Sequence, residues 1–94
     1  MATFLMFGNY SQESVKQISA KRSDKSIELI KKYGGEVKAG YAMLGKNDLL
    51  LVLELPGVED AMKVSVGLSK LLGISFSTHP AVSMETFDKL MENV

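Results

Sequence analysis

The chain of 94 residues contains a single histidine, His79, and no cysteine. Histidine is the side chain that most readily exchanges a proton near neutral pH, so His79 is the candidate general base. It follows Ser77 by two residues, which places both side chains on one face of a strand. A lone histidine without clustered carboxylates or thiolates does not make a metal site. The sequence therefore predicts no metal and no cofactor, and the competing interpretation of His79 is a polar edge residue near solvent.

Three further residues carry polar groups where a site could form. Asp48, in the run Gly45-Lys46-Asn47-Asp48, either shapes a turn by bonding local backbone amides or lines a pocket. Tyr10 and Tyr41 combine a ring with a hydroxyl, which suits ligand contact and equally suits core or interface packing. Asp48 is thus the second candidate catalytic residue, and Tyr10, Tyr41 and Ser77 are the candidate ligand contacts.

The charges are balanced overall but not along the chain. There are 11 basic and 11 acidic residues, so the net charge is zero. A neutral chain with one arginine is a poor nucleic-acid binder, because phosphate affinity comes from clustered cations. Residues 1–46 are net basic and residues 47–94 net acidic, which reflects either different helix surfaces or complementary patches between copies. The basic cluster Lys21, Arg22 and Lys25 is a solvated helix face or an anion site.

Composition and length indicate one globular domain, residues 1–94. Apolar residues make up 46% and the mean hydropathy is +0.08, which excludes a disordered chain. The apolar start, residues 1–7, has no basic leader and is too short for a secretory or membrane segment. We therefore interpret it as a buried strand and expect a cytoplasmic protein without membrane contact.

Hydrophobic periodicity predicts four strands and four helices. Ser11 and Ser83 are predicted N-caps, and glycines at 34–35 and 73 are predicted to end helices. Pro80 is predicted to end the last strand, since it lacks an amide proton. The predicted strands cover residues 3–8, 36–44, 49–55 and 74–79, and the predicted helices cover 12–18, 21–33, a segment after Gly57 up to Gly73, and a short C-terminal stretch after Ser83. This is the ferredoxin-like order β-α-β-β-α-β, an α+β fold with a four-stranded antiparallel sheet and both main helices on one face.

The two strands expected at the centre of the sheet do not alternate. Residues 4–7 and 49–53 are apolar on both sides, whereas a half-solvated antiparallel strand should alternate. We predict an uncovered apolar face made of Phe4, Met6, Leu50 and Val52 beside Tyr41. A second copy packing sheet on sheet would cover it. The alternative is that residues 82–94 fold back over the sheet.

With these elements assigned, the sequence resembles the GYD-domain family. The resemblance covers Lys21-Arg22, Gly34-Gly35-Glu36-Val37-Lys38, Leu44-Gly45-Lys46-Asn47-Asp48 and the apolar strand ending in Glu54-Leu55-Pro56. The family's naming motif is Gly-x-Tyr-Asp, and Asn47 stands here in place of the tyrosine. The resemblance implies a dimeric α/β-barrel, a group that includes monooxygenases, isomerases, decyclases, haem-binding enzymes and ligand-sensing halves of transcription regulators.

The leading functional expectation is a homo-oligomer that binds a small apolar or aromatic molecule between its sheets. Tyr41, Asp48, Ser77 and His79 would reach that pocket. One alternative is a cofactor-free oxygenase or isomerase that uses His79 as base. Another is a structural or assembly protein without a ligand site, held together by the opposed charges of the two halves of the chain.

Overall fold

The computed structural model describes residues 1–94 and contains the predicted succession of elements. Four antiparallel strands form one sheet in the order β2-β3-β1-β4. The elements are β1 (Ala2–Tyr10), α1 (Gln12–Val15), α2 (Ala20–Lys32), β2 (Glu36–Ala42), β3 (Leu49–Leu55), α3 (Val58–Leu72), β4 (Ile74–Ala81) and α4 (Met84–Leu90). The ferredoxin-like fold class and the short C-terminal helix are therefore confirmed.

The core lies between the sheet and the two long helices, α2 and α3. Its side chains are aliphatic and fully enclosed, and Met6, Leu53, Val64 and Leu68 have no exposed surface. On α3 the buried positions recur at helical spacing, Ala61, Val64, Leu68 and Leu72. Leu71 is 41% exposed, because its position falls outside that stripe.

Serine caps determine where the first two helices begin. Ser11 Oγ accepts the Ser14 N–H at 3.0 Å, while Ser14 Oγ accepts the Ser11 N–H at 2.7 Å, so the predicted cap is confirmed as a reciprocal capping box. The first helix was predicted over residues 12–18 but ends at Val15. The cause is Ser19, whose hydroxyl accepts the Arg22 N–H at 3.2 Å and starts α2.

Three predicted strand ends are wrong, because β2 ends at Ala42 rather than at residue 44 and the other two strands, β1 and β4, run further than predicted. β1 continues through Gly8 to Tyr10. The glycine does not break the strand; it is required by close packing, since a Cβ at Gly8 would lie 2.9 Å from the Phe76 ring. β4 continues through Pro80 to Ala81. Since β4 is an edge strand, only one side of it pairs, and a residue without an N–H is tolerated there.

The register corrects the composition of the uncovered face. Phe4 lies opposite Leu53, and Met6 opposite Leu51, and both β1 side chains are buried on the helix side. Phe4 and Met6 were therefore wrongly placed beside Leu50 and Val52. The β1 residues that share a face with Leu50 and Val52 are their cross-strand partners, Phe7 and Leu5.

A β-bulge divides the apolar face predicted for β2. Val37 pairs with Leu53 on the helix side, and the register shifts before Ala39, which pairs with Val52 on the other side. The extra residue, Lys38, places its ammonium 3.6 Å from Glu54 Oε2. Val37 and Ala39 therefore point to opposite faces although they are two residues apart, since a bulge reverses the alternation.

The C-terminal segment leaves the sheet uncovered. Ser83 Oγ accepts the Thr86 N–H at 3.0 Å, so the predicted cap of α4 is confirmed. No residue of α4 is buried, and its apolar side chains stay accessible, from 45% for Phe87 to 74% for Met84. The chain does not fold back over its own sheet. No helix combines the length and apolar character that crossing a bilayer requires.

Candidate ligand site on the open face of the sheet

The open face is the side of the sheet that points away from α2 and α3. Its central side chains are apolar and half-buried within the single chain, because neighbours on a pleated sheet shield one another. Polar and aromatic residues stand at both margins. Two rows cross all four strands, the first Tyr41, Leu50, Phe7 and Ser77, the second Ala39, Val52, Leu5 and His79.

His79 and Ser77 form one polar pair on β4. Ser77 Oγ lies 2.8 Å from His79 Nε2, as the strand's alternation predicts for residues two apart. The imidazole also meets the Phe7 ring edge-on, with centroids 5.8 Å apart and planes inclined at 74°. The histidine is thereby held against the apolar centre of the open face while remaining accessible to solvent.

A hollow beside this pair extends the site toward the hairpin. Phe7, Ser77 and His79 line it on the sheet, and Asn9, Lys46 and Asn47 close one end. The other side is open to solvent. Asn47, which replaces the motif tyrosine, therefore lines the same hollow as His79, and Lys46 brings a cation close to it.

Tyr41 marks the far margin of the open face. It shares a row with Ser77, but β3 and β1 lie between their strands, so the two are about 14 Å apart at the usual strand spacing. Its side chain is 60% exposed. One small molecule in contact with His79 would not touch Tyr41 of the same chain.

Asp48 lies at the junction of the hairpin with β1. Its carboxylate oxygen Oδ2 accepts the Tyr10 N–H at 2.9 Å, and its own N–H donates to the Gly8 carbonyl at 2.9 Å. Its backbone carbonyl accepts the Met43 N–H at 2.8 Å. The carboxylate is therefore directed at backbone rather than at the His79 pair, and it fastens β1 to the start of β3.

Tyr10 lies on the opposite side of the sheet from the other candidates. It packs against the helix-side core, and the Arg22 guanidinium carbon stands 5.8 Å from the centre of its ring. The structure thus brings together His79 and Ser77, leaves Tyr41 at the far margin, and separates Asp48 and Tyr10 from them.

The chemistry available on the open face is limited to binding and proton transfer. No carboxylate lies within ion-pair distance of His79, so the Ser77–His79 contact is not completed into a catalytic triad. No three histidine or acidic side chains gather into a group that could hold a metal ion. The group that remains is the His79 imidazole beside an apolar, aromatic surface.

Sequence reasoning missed Asn9 and Lys46 as members of the hollow. Their positions in the sequence do not indicate that they share a site, since Asn9 lies near the end of β1 and Lys46 in the hairpin turn before β3. They meet only because β1 pairs with β3. The one usable signal was the hairpin motif itself, which placed Lys46 and Asn47 at a single turn.

Comparison with known proteins identifies a family and a fold. The sequence profile of the GYD domain matches residues 4–91. Comparison with curated proteins gives no match. Among solved structures, the leucine response regulatory protein of Mycobacterium tuberculosis superposes with a TM-score of 0.58 at 6% identity, over 88% of this chain and 51% of that one. The chain spans about half the length of this neighbour, and at that identity the likeness concerns the fold alone.

Proposed function

The chain belongs to the GYD domain family, and on that premise we propose that it is a homo-oligomer whose copies pack open face to open face and bind a small apolar or aromatic molecule between them. The ligand would lie on Phe7 and contact the Ser77–His79 pair. Lys46 and Asn47 would close the hairpin end of the site.

The observation that carries the proposal is an apolar centre with a polar frame. Leu5, Phe7, Leu50 and Val52 form a continuous apolar surface that no element of the chain covers. Water contact with such a surface is unfavourable, and contiguous apolar patches on soluble proteins usually mark interaction sites. The hollow beside His79 is open on the solvent side, and a second sheet would supply the missing wall.

The α4 helix supports association as well. From strand spacing and rise, the open face measures about 19 by 24 Å, or roughly 450 Å², which is less than the ~800 Å² per partner of an ordinary stable interface. Met84, Phe87 and Leu90 of α4 remain exposed, as does Met91 at its C-cap. We expect them to pack on the neighbouring copy and supply the remaining area.

The first experiment is the solution mass, measured by light scattering and then by native mass spectrometry of the same sample. The proposal expects two or more chains, and a retained small molecule would identify the ligand class directly. A monomer at all concentrations would contradict the face-to-face arrangement.

Ligand binding is tested with 1-naphthol, a small uncharged aromatic, titrated into ¹⁵N-labelled protein. We expect shifts at Phe7, Ser77 and His79, and a several-fold loss of affinity in Ser77→Ala. The matched control is Ser75→Ala, on the same strand and the same face but outside the hollow. Equal affinity in both variants would remove Ser77 from the site.

A second candidate function is proton abstraction by His79 in a cofactor-free oxygenase or isomerase. The favouring observation is the 2.8 Å contact of His79 Nε2 with Ser77 Oγ, which fixes the ring orientation beside an aromatic surface. His79→Gln keeps a side-chain amide able to bond Ser77 but cannot act as a base. With the ligand recovered by mass spectrometry as substrate, this function predicts retained binding and lost turnover; equal turnover would rule out the base.

A further inference from the structure

A separate cleft lies on the helix side of the sheet, between the first half of α2 and the strands. Its volume is about 210 Å³. Its walls are mainly aliphatic, with Ile27, Val37 and Leu51 among them, and its polar groups gather at one end, where Tyr10, Arg22 and Ser26 lie. A cleft with an apolar body and one polar end suits an amphipathic ligand.

Arg22 is held ready at the polar end. Its Nη1 donates to the Ser14 carbonyl at 2.7 Å, and its guanidinium lies over the Tyr10 ring, 5.8 Å from the centroid. These contacts fix the side chain but use one of its five N–H groups. No carboxylate lies within 4.0 Å of it. The half-buried guanidinium therefore has hydrogen-bonding capacity and positive charge without an anionic partner.

The charges at the start of α2 make the absence of an anion beside Arg22 electrostatically more unfavourable. Its first turn contains Lys21 and Arg22 and no acidic residue. Helix N-termini carry partial positive charge, so cations there are unfavourable and anions favourable. An anion bound beside Arg22 would be stabilised by the guanidinium and would relieve the repulsion within this turn.

We propose that this cleft binds a small amphipathic monoanion, such as a short-chain carboxylate. Its anionic group would bond to Arg22 and the Tyr10 hydroxyl, and its hydrocarbon part would lie against Ile27, Val37 and Leu51. A volume of 210 Å³ holds about seven waters at ~30 Å³ each, which sets the size at about seven or eight non-hydrogen atoms.

This site does not depend on the open face or on self-association. The sheet separates it from His79, so a ligand here perturbs residues that line the cleft on α2 and on the helix side of the sheet, and leaves the open face unperturbed. Failure of the open-face proposal leaves this one intact, and the reverse also holds.

The test is an NMR titration of the ¹⁵N-labelled full chain with hexanoate, which has about eight non-hydrogen atoms. We expect a dissociation constant on the order of 1 mM, with shifts at Arg22, Ser26 and Val37 and none at Ser77 or His79. Hexan-1-amine, with the same number of carbon atoms and the opposite charge, is expected not to bind. Equal binding of the amine, or shifts confined to the open face, would overturn the proposal.

Variants separate charge from shape. Arg22→Met keeps an unbranched stem without the guanidinium and is expected to weaken hexanoate binding about tenfold or more. Lys25→Met removes a neighbouring cation outside the cleft and should change the affinity less than about twofold. Because Arg22→Met also loses the bond to Ser14, Ser26→Leu provides a second variant that fills the cleft on a well-formed helix. Undiminished hexanoate binding in Ser26→Leu would refute the site whatever the fate of the arginine variant.

Discussion

Replacing Val52 by aspartate on the open face is the sharpest test of the proposed assembly. Val52 lies between Leu5 and Ala39 in one cross-strand row, at the centre of the surface that two copies would bury. The matched control is Val58→Asp: Val58 is also accessible, at 56%, but lies in the first turn of α3, where an acidic residue is favoured.

The expected change in dimer stability follows from the free energy of association that each subunit would lose. Val52 is half-buried in the single chain, so the interface removes only its remaining exposed surface, about a third or less, from water, which is worth up to ~1 kcal/mol. The aspartate must also be desolvated, at a cost of at least ~2 kcal/mol and commonly more. With two subunits, dimerisation weakens by about 6 kcal/mol, or roughly 10⁴-fold in the dissociation constant.

The assay is light scattering coupled to gel filtration over a range of protein concentrations, with circular dichroism to confirm that each variant is folded. We expect wild type and Val58→Asp to be oligomeric and Val52→Asp to be monomeric at every concentration reached. An oligomer in Val52→Asp with the wild-type dissociation constant would show that copies associate through some other surface, and the open-face pocket would have to be abandoned.

Three further predictions concern stability and are measured by urea denaturation at concentrations where the chain is monomeric. Leu53→Ala, with a fully enclosed side chain, should cost ~2–5 kcal/mol, whereas Leu50→Ala on the open face should cost about 1 kcal/mol; equal losses would contradict the register. Gly35→Ala should cost ~1–3 kcal/mol of stability, because its Cβ would overlap core side chains. Gly40→Ala should change stability by no more than ~0.5 kcal/mol, because its Cβ would lie 3.5 Å from the nearest side-chain atom, Leu51 Cδ2. Asp48→Ala should cost about 1.5 kcal/mol or more through the lost bond to the β1 amide, and Asp48→Asn should recover part of it; an unchanged stability would argue against this structural role and leave Asp48 as a candidate catalytic residue.

The order of elements could be predicted from sequence because each boundary has a local cause. Ser11 and Ser83 supply hydroxyls that cap helices, and Gly34 and Gly73 adopt positive φ where helices end. Such signals act within a few residues. They identify the elements and, with the hydrophobic pattern, the ferredoxin-like fold.

The identity of the buried face could not be predicted in the same way. Residues 4–7 and 49–53 are apolar at every position, so alternation says nothing about which set faces the helices. Only the cross-strand register decides it, and register depends on residues distant in sequence. Gly8 was one usable clue, because a glycine within a strand indicates close approach of another element. Here that element is the Phe76 ring on the helix side of the sheet. The other even-numbered residues of β1 therefore point to the helix side as well.

The candidate site could be predicted only in part, because only some of its residues are close in sequence. His79 and Ser77 share a strand, so their contact follows from spacing alone. Tyr10 and Tyr41 lie on other strands and on opposite faces of the sheet. Their relation to His79 depends on the bulge in β2, which has no local signature, and on the direction of the β1 side chains, which Gly8 alone indicates.

Both free edges of the sheet interrupt the backbone ladder that an additional strand would need. β4 carries Pro80, which lacks an N–H, and β2 carries the bulge around Lys38 with its charged side chain. Edges of this kind resist strand addition and therefore the open-ended growth of fibrils. Under the proposed face-to-face association, assemblies would therefore be closed and of defined size, since packing two open faces together buries both of them, whereas edge pairing would leave a new free edge at each step.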